Sequence, residues 1–284
     1  MHWTTQVGDW YYVGTFDSNA NNAAMTGLAK IYNATKDPKY SAAFLKGLDY
    51  IFDSQFPNGG WPQNYPLVGW YHDEVTYNDD AMTNVVGLLR DIATNQPDYS
   101  FVDEVHRAKA KTAMEAGLTC ILKTQVKQNG KLTAWCAQHD PITLEAAPAR
   151  KFEVASLSGW ESANVVRFLM SIEPPSPEVK TAVEGALTWF KASKINGFEV
   201  VSSLNAVGGR VFALKANPEA GPLWARFYEL STNRPVFVTR EATVFYNLSD
   251  LDQSGPNKGY NWYVNAPQKM VENEYPKWEA KWDK

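Results

Sequence analysis

Apolar residues recur at helical spacing in three successive pairs of segments. Ala24, Leu28, Ile31 and Tyr32 predict a helix over about 19–35. Tyr40, Phe44, Leu45, Leu48, Ile51 and Phe52 predict its partner over about 38–55, with Asp37 as N-cap and Pro38 at the first helical position. Ala81, Met82, Val85, Val86, Leu89 and Ile92 then form one stripe, and a longer helix is expected from about Phe101 to Gln125. In the third pair the capping-box pattern Ser158-Gly-Trp-Glu161 precedes Val165, Val166, Leu169 and Ile172. Ser176-Pro177-Glu178 opens the last helix, which carries Val179, Val183, Leu187 and Phe190.

These pairs are copies of one unit. Leu48-Asp-Tyr-Ile51, Leu118-Thr-Cys-Ile121 and Leu187-Thr-Trp189-Phe190 each end a helix, and a glycine follows at nearly the same offset: Gly59, Gly130, Gly197. The first two copies also share Gln55 and Gln125, and a tryptophan after the glycine, Trp61 and Trp135. Asn84-Val-Val-x-x-Leu-x-x-Ile92 recurs as Asn164-Val-Val-x-x-Leu-x-x-Ile172. Three helix pairs bury both inner faces if they close on themselves, whereas an open solenoid needs caps at two apolar ends. The predicted fold is therefore all-α dominated, an (α/α)3 toroid with long loops and a few short strands. We expect an N-terminal extension over 1–14 and a single domain over 15–284. The segments 56–77, 127–157 and 195–245 are too long for plain connectors, and the last holds two strand-like runs, Val236-Phe-Val and Thr243-Val-Phe-Tyr.

Charge and composition narrow the function. The 27 Lys and Arg against 31 Asp and Glu give no basic stripe for nucleic acid, and no apolar run approaches the length of a membrane span. A soluble protein, expected to be monomeric, follows. The chain is rich in aromatics, with 11 Trp, 14 Tyr and 13 Phe, and many fall in Gly/Pro/Asn-rich loops where a ring face suits a sugar as well as a core. Two cysteines, Cys120 and Cys136, support no disulfide framework or thiolate metal site; they are read as a buried thiol pair or a single disulfide. Residues 1–13 show no apolar leader core, and a leader removed upstream remains compatible with the chain.

The residues that open the repeats carry the candidate chemistry. A carboxylate in Asn78-Asp79-Asp80 is an ordinary N-cap when taken singly, but two adjacent acids exceed what a cap needs. Asp17 opens the first copy at a comparable position, so Asp17 with Asp79 or Asp80 would face each other as oxygen ligands for Ca²⁺. Gln138-His139-Asp140 reads more readily as a structural hydrogen bond than as a dyad. His2, His72, His106 and His139 lack zinc-ligand spacing, and no nucleophile elbow or phosphate loop is present. Arg150, Arg226, Arg234 and Arg240 lie in the loop-rich segments, where a guanidinium fork matches the carboxylate of a uronate; Glu145, Glu153, Glu229 and Glu241 lie near as alternative ion-pair partners.

Six ordered motifs carry a resemblance: Asn58-Gly-Gly-Trp-Pro-Gln-Asn-Tyr-Pro66, Thr76-Tyr-Asn-Asp-Asp-Ala-Met82, Thr133-Ala-Trp-Cys-Ala-Gln-His-Asp140, Ser156-Leu-Ser-Gly-x-Glu-Ser162, Leu223-Trp-Ala-Arg-Phe-Tyr-Glu229 and Asn233-Arg-Pro235. From about Thr15 to Trp282 the chain resembles the pectate lyases of polysaccharide lyase family 10. The resemblance implies the same (α/α)3 toroid and cleavage of polygalacturonate by Ca²⁺-assisted anti-β-elimination, outside the cytoplasm as a secreted or periplasmic enzyme. Asp17 matches the acid of the family's Asp-Asn-Gly motif, with a part in both metal binding and catalysis, and Asp79 or Asp80 matches the second metal-site acid. Arg150 looks like the arginine that grips substrate carboxylate and Arg240 like the catalytic base, with Arg234 as the fallback. Trp61, His139 and Asp140, inside the matched motifs, are implied substrate contacts. Ser18 stands at the metal site where the family has Asn, Glu241 stands where it has Asp, and a Gly-Gly-Trp-Pro-Lys stretch usual at the N-terminus is missing.

The implied chemistry suits these residue types. Taking the C5 proton of a galacturonate drives charge onto its carboxylate, so Ca²⁺ and an arginine there stabilise the transition state more than the ground state. A free arginine lies about 5 kcal/mol from neutrality at pH 9, so an arginine base needs neighbouring cations and an alkaline optimum. Two other readings compete: a catalytically silent pectin-binding module, and a two-carboxylate glycoside hydrolase on an α/α fold.

Overall fold

The computed structural model describes residues 13–251, 253 and 260–282. Most of the expected N-terminal extension therefore lies outside the described residues. Gly14 belongs to the fold, because Gly14–Thr15 pairs antiparallel with Asn64–Tyr65. The chain divides into two compact units, one of residues 1–124 with 138–145 and one of residues 125–137 with 146–284.

The first unit holds two helix pairs. α1 (Ala20–Thr35) packs on α2 (Pro38–Asp53), α3 (Ala81–Ala93) packs on α4 (Glu104–Lys123), and α2 also meets α4. The Asp37 side chain accepts the Lys39 amide at 3.0 Å, so α2 starts where Asp37-Pro38 predicts. α4 begins later than Phe101 because Asp103 caps it, accepting the His106 amide at 2.9 Å. The apolar stripes point inward: Phe44, Leu48 and Ile51 of α2 and Met82, Val85, Val86, Leu89 and Ile92 of α3 are buried.

The second unit holds α5 (Glu161–Met170) packed on α6 (Pro177–Ser193), whose N-cap Ser176 accepts the Val179 amide at 3.3 Å. A separate core of Phe152, Phe227, Val236, Phe237, Val238, Leu248, Leu251 and Trp262 lies under the loops that follow. The two strand-like runs pair as expected, Phe237 opposite Phe245. A seven-residue hairpin, Phe198–Leu204 against Arg210–Ala216, was not expected. Its residues are mostly exposed on both faces, so the hydrophobic alternation that marks a half-buried strand is missing.

The shared glutamines explain how copies are joined within each unit. Gln55 Nε2 donates to Gly59 O at 3.0 Å in its own loop and to Ala113 O at 2.9 Å in α4. Gln125 Nε2 donates likewise to Thr133 O and to Ala182 O in α6, both at 2.8 Å. The glycines Gly59, Gly130 and Gly197 all have positive φ, at 91°, 76° and 79°. At Gly59 a β-carbon would also stand 2.2 Å from the Ala116 carbonyl oxygen, so no other residue fits that turn.

Candidate active site

The turns that open α1 and α3 have the same backbone. Asp17–Asn19 and Asn78–Asp80 each place two successive non-glycine residues in the left-handed region: Ser18 and Asn19 at φ 50° and 60°, Asp79 and Asp80 at φ 51° and 62°. Neither turn makes a side-chain cap bond to its helix, so the ordinary N-cap reading of these acids fails. In register Asp17 overlays Asn78, Ser18 overlays Asp79 and Asn19 overlays Asp80. The two turns lie against each other, which brings Asp17, Ser18, Asp79 and Asp80 together in the first unit.

Each carboxylate is oriented by a neighbour. Asp17 Oδ2 accepts Gln63 Nε2 at 3.1 Å and its Oδ1 accepts the Ser18 hydroxyl at 3.2 Å, while Asp79 Oδ2 accepts Asn78 Nδ2 at 2.7 Å. Asn and Asp tolerate the left-handed region and Ser18 enters it at a cost of order 1 kcal/mol, so the two adjoining turns share one uncommon backbone. The donors are hard oxygens. Among the described residues no group of three or more His, Cys, Asp and Glu is arranged to hold a metal ion. An ion here must complete its shell with hydroxyl, amide, backbone, water or substrate oxygen, as Ca²⁺ readily does.

Three of the implied substrate contacts are placed otherwise. Trp61 is fully buried and its indole donates to Ile51 O at 2.9 Å, so it is a core residue. His139 is also buried, its Nδ1 bonded to Leu144 O at 3.0 Å and its ring edge-on to Tyr77. Asp140 is not its dyad partner: Oδ1 accepts the amides of Ile142 at 2.8 Å and Thr143 at 2.7 Å, which close a turn and hold the carboxyl below its usual range.

The arginines fall in the second unit and separate into three kinds. Arg226 is structural: Nη2 bonds Glu161 Oε1 at 2.6 Å, with both side chains largely buried, and the guanidinium packs by Trp160, Phe227 and Tyr260. Burial opposes its charge, but Glu161 and the neighbouring Tyr260 and Glu153 outweigh it and raise its pKa. Arg234 lies over the Tyr246 ring, 3.7 Å from its centre, and Tyr246 in turn donates to Glu229 at 2.8 Å. This stack anchors Arg234 in the surface turn as a structural group.

Arg150 and Arg240 share one ring. Their guanidinium carbons stand 4.9 and 5.1 Å from the centre of Phe152, so one aromatic side chain gathers two cations. Arg150 is fixed further by a fork to Glu153, with Nε to Oε2 at 2.6 Å and Nη2 to Oε1, and Tyr260 also donates to Oε1 at 3.0 Å. Sequence reasoning ranked Arg150 and Arg240 together but passed over Phe152, because an apolar residue in a loop gives no signal of the ions it will carry.

The expected capping box forms only in part: Ser158 Oγ accepts the Glu161 and Trp160 amides, both at 3.1 Å, and donates to the Glu161 carboxylate, but the Ser158 amide goes to Trp135 O at 2.8 Å and α5 starts later, with Trp160 at its N-cap. The cysteines are buried thiols that form no disulfide, the first of the two expected readings; Cys120 Sγ faces Asn58 and Cys136 Sγ faces Ala147 O.

The first unit thus holds two adjoining turns rich in oxygen donors, and the second a loop-borne pair of arginines on one ring. Comparison gives the family: the model of the pectic acid lyase family matches residues 3–271, and the chain belongs to that family. Two solved structures are similar, both of a Family 10 polysaccharide lyase from Cellvibrio cellulosa. One is a mutant in complex with trigalacturonic acid, at 32% identity and TM-score 0.84 over 93% of this chain and 82% of that one. The other has 32% identity and TM-score 0.83 over 93% and 81%. No curated protein matches the chain. The protein is thus a polysaccharide lyase of family 10 with that family's helical fold.

Proposed function

We propose that the protein is a pectate lyase that cleaves α-1,4-linked polygalacturonate by anti-β-elimination with an arginine base and Ca²⁺. The observation that carries this reading is the sharing of Phe152 by Arg150 and Arg240, because elimination needs one cation for the carboxylate and one group for the proton. Asp17 with Asp79 or Asp80, and Ser18, are the residues that would hold Ca²⁺. When bound, the ion supplies Lewis-acid stabilisation of a substrate carboxylate.

Arg150, held by Glu153, is the carboxylate clamp in this assignment: a guanidinium already paired with a carboxylate is suited to remain a cation. Arg240 takes the C5 proton. The bond between O4 and C4 then breaks: one product keeps a double bond between C4 and C5, and O4 leaves on C1 of the other, takes a proton from water and becomes the hydroxyl of a new reducing end. Substrate availability implies action outside the cytoplasm; among the described residues no helix is long and apolar enough to cross a membrane.

The test is incubation with polygalacturonate while following ultraviolet-absorbing unsaturated product. Elimination is expected, abolished by chelation and restored by Ca²⁺ but not Zn²⁺. Reducing ends without unsaturation would instead establish hydrolysis, and binding without either product a silent module. Full activity after exhaustive chelation would remove the metal from the mechanism.

A further inference from the structure

Trp70 is the most exposed large aromatic among the described residues, with 72% of its surface open, and its backbone is at φ 80°, ψ −170°. That region is almost closed to residues other than glycine and costs on the order of 1–3 kcal/mol. An indole left in water forfeits its burial as well. Both costs therefore fall on one side chain, and neither is offset by packing in the core.

The loop nevertheless holds the indole firmly. Asp73 accepts the Val68 amide at 3.0 Å and the Gly69 amide at 2.8 Å, and its own amide donates to Trp70 O at 3.1 Å. Tyr71 and His72 stack at 3.9 Å, with Trp70 edge-on to both at 5.0 and 5.8 Å, so the ring stands on an aromatic base. The loop is also tied to the oxygen-rich turn. The Gln63 amide donates to His72 O at 2.9 Å, the Gln63 side chain donates to Asp17 Oδ2 at 3.1 Å, and Phe16 N donates back to Gln63 O at 2.9 Å. With only Tyr71 between His72 of this tether and Trp70, the indole lies within roughly 20 Å of the Asp17 carboxylate, the reach of a short oligosaccharide.

Charge selects how a ligand binds here. Between Lys46 and Arg90 the sequence has no Lys or Arg, its one histidine, His72, is buried beside Trp70, and Asp49, Asp53, Asp73, Glu74, Asp79 and Asp80 are acidic. This segment therefore offers a polyanionic sugar chain no lysine or arginine of its own. A rigid exposed ring that takes the apolar face of a pyranose supplies binding independent of charge.

We propose that Trp70 is a stacking platform for a galacturonate ring remote from the bond being cut, a subsite that reads the sugar face and is indifferent to its carboxylate. This rests on the pectate lyase reading above. Such a subsite accepts a methyl-esterified residue as well as a free acid, and its contribution does not weaken with salt, unlike those of Arg150 and Arg240.

The experiment compares wild type with Trp70→Ala, Trp70→Gly and Trp70→Phe on defined galacturonate oligomers of increasing length. Trp70→Ala is expected to raise KM about tenfold on long oligomers and far less on the trimer, equally at low and high salt, with Trp70→Phe restoring most of the loss. Trp70→Gly, which relieves the backbone, should show the same binding loss with a higher melting temperature. In wild type the oligomers should quench or shift tryptophan emission, and the change should vanish in Trp70→Ala. Equal KM for wild type and Trp70→Ala at every length overturns the platform, as does a loss that disappears in high salt. A change in sedimentation with no change in KM would assign the surface to self-association instead. If wild type makes no unsaturated product, the lyase reading falls, while the emission titration still decides whether Trp70 binds the sugar.

Discussion

Ser18 separates the backbone of the oxygen-rich turn from its chemistry. It is exposed, sits at φ 50° and ψ 32°, and makes only a 3.2 Å bond to Asp17. An L-residue in this region costs about 1–2 kcal/mol, and glycine there gives back about 0.5–1 kcal/mol through its freer unfolded chain. Ser18→Gly should therefore stabilise the metal-free protein by about 0.5–1 kcal/mol. Ser18→Ala keeps the β-carbon and should gain nothing, and Ser18→Asn should gain a little because asparagine tolerates this conformation. For a chain of this size the glycine shift amounts to roughly 1–3 °C in melting temperature, measurable by calorimetry in chelator. Activity should order differently: Ser18→Asn, whose amide oxygen reaches farther, should lower the Ca²⁺ concentration for half-maximal rate, and Ser18→Gly should raise it. Ser18→Gly no more stable than Ser18→Ala would refute the backbone argument. An unchanged Ca²⁺ requirement in all three would show that position 18 does not face the ion.

Other perturbations address the remaining groups. Arg240→Ala should lower kcat by several orders of magnitude with little change in KM, whereas Arg150→Ala should raise KM as well; the opposite pattern assigns Arg150 as base, and loss of turnover only in Arg234→Ala would move it there. Burial, then repulsion from Asp140 and Asp73, pushes Glu74 up to about 7 from an ordinary 4.5. The folded state therefore binds the extra proton, and stability falls as pH rises from about 4.5 to about 7 and then levels. Glu74→Gln should be more stable than wild type at pH 8 but not at pH 4, and parallel denaturation profiles across that range would dismiss the shift. Glu161→Ala strands buried Arg226 and should cost about 3–5 kcal/mol in urea unfolding, most of it recovered in Glu161→Leu with Arg226→Met.

What the sequence disclosed depended on whether a residue's task is local. Helix starts at Asp37-Pro38 and Ser176 were legible because a cap is a relation within three residues. The glycines of the repeat were legible for the same reason, each serving one left-handed turn. The pairing of Gln55 with Gln125 showed repetition but not purpose, since their acceptors Ala113 and Ala182 lie 58 and 57 residues away. The acids of Asn78–Asp80 misled in the opposite sense: at a helix start they look like caps, yet the turn has a left-handed backbone and its N-cap residue, Asp80, makes no side-chain cap bond. Trp61 and His139 misled because a residue inside a recognisable motif need not touch substrate; both are buried supports. Trp70 was hidden most completely. Nothing in Gly69-Trp70-Tyr71 distinguishes a core indole from a presented one, and only its exposure and backbone angle reveal a residue kept outside the core at a double cost. Positions that build the helix pairs obey local rules, whereas Ser18 and Trp70, both exposed and at positive φ, break them, and the substitutions above test what those departures are for.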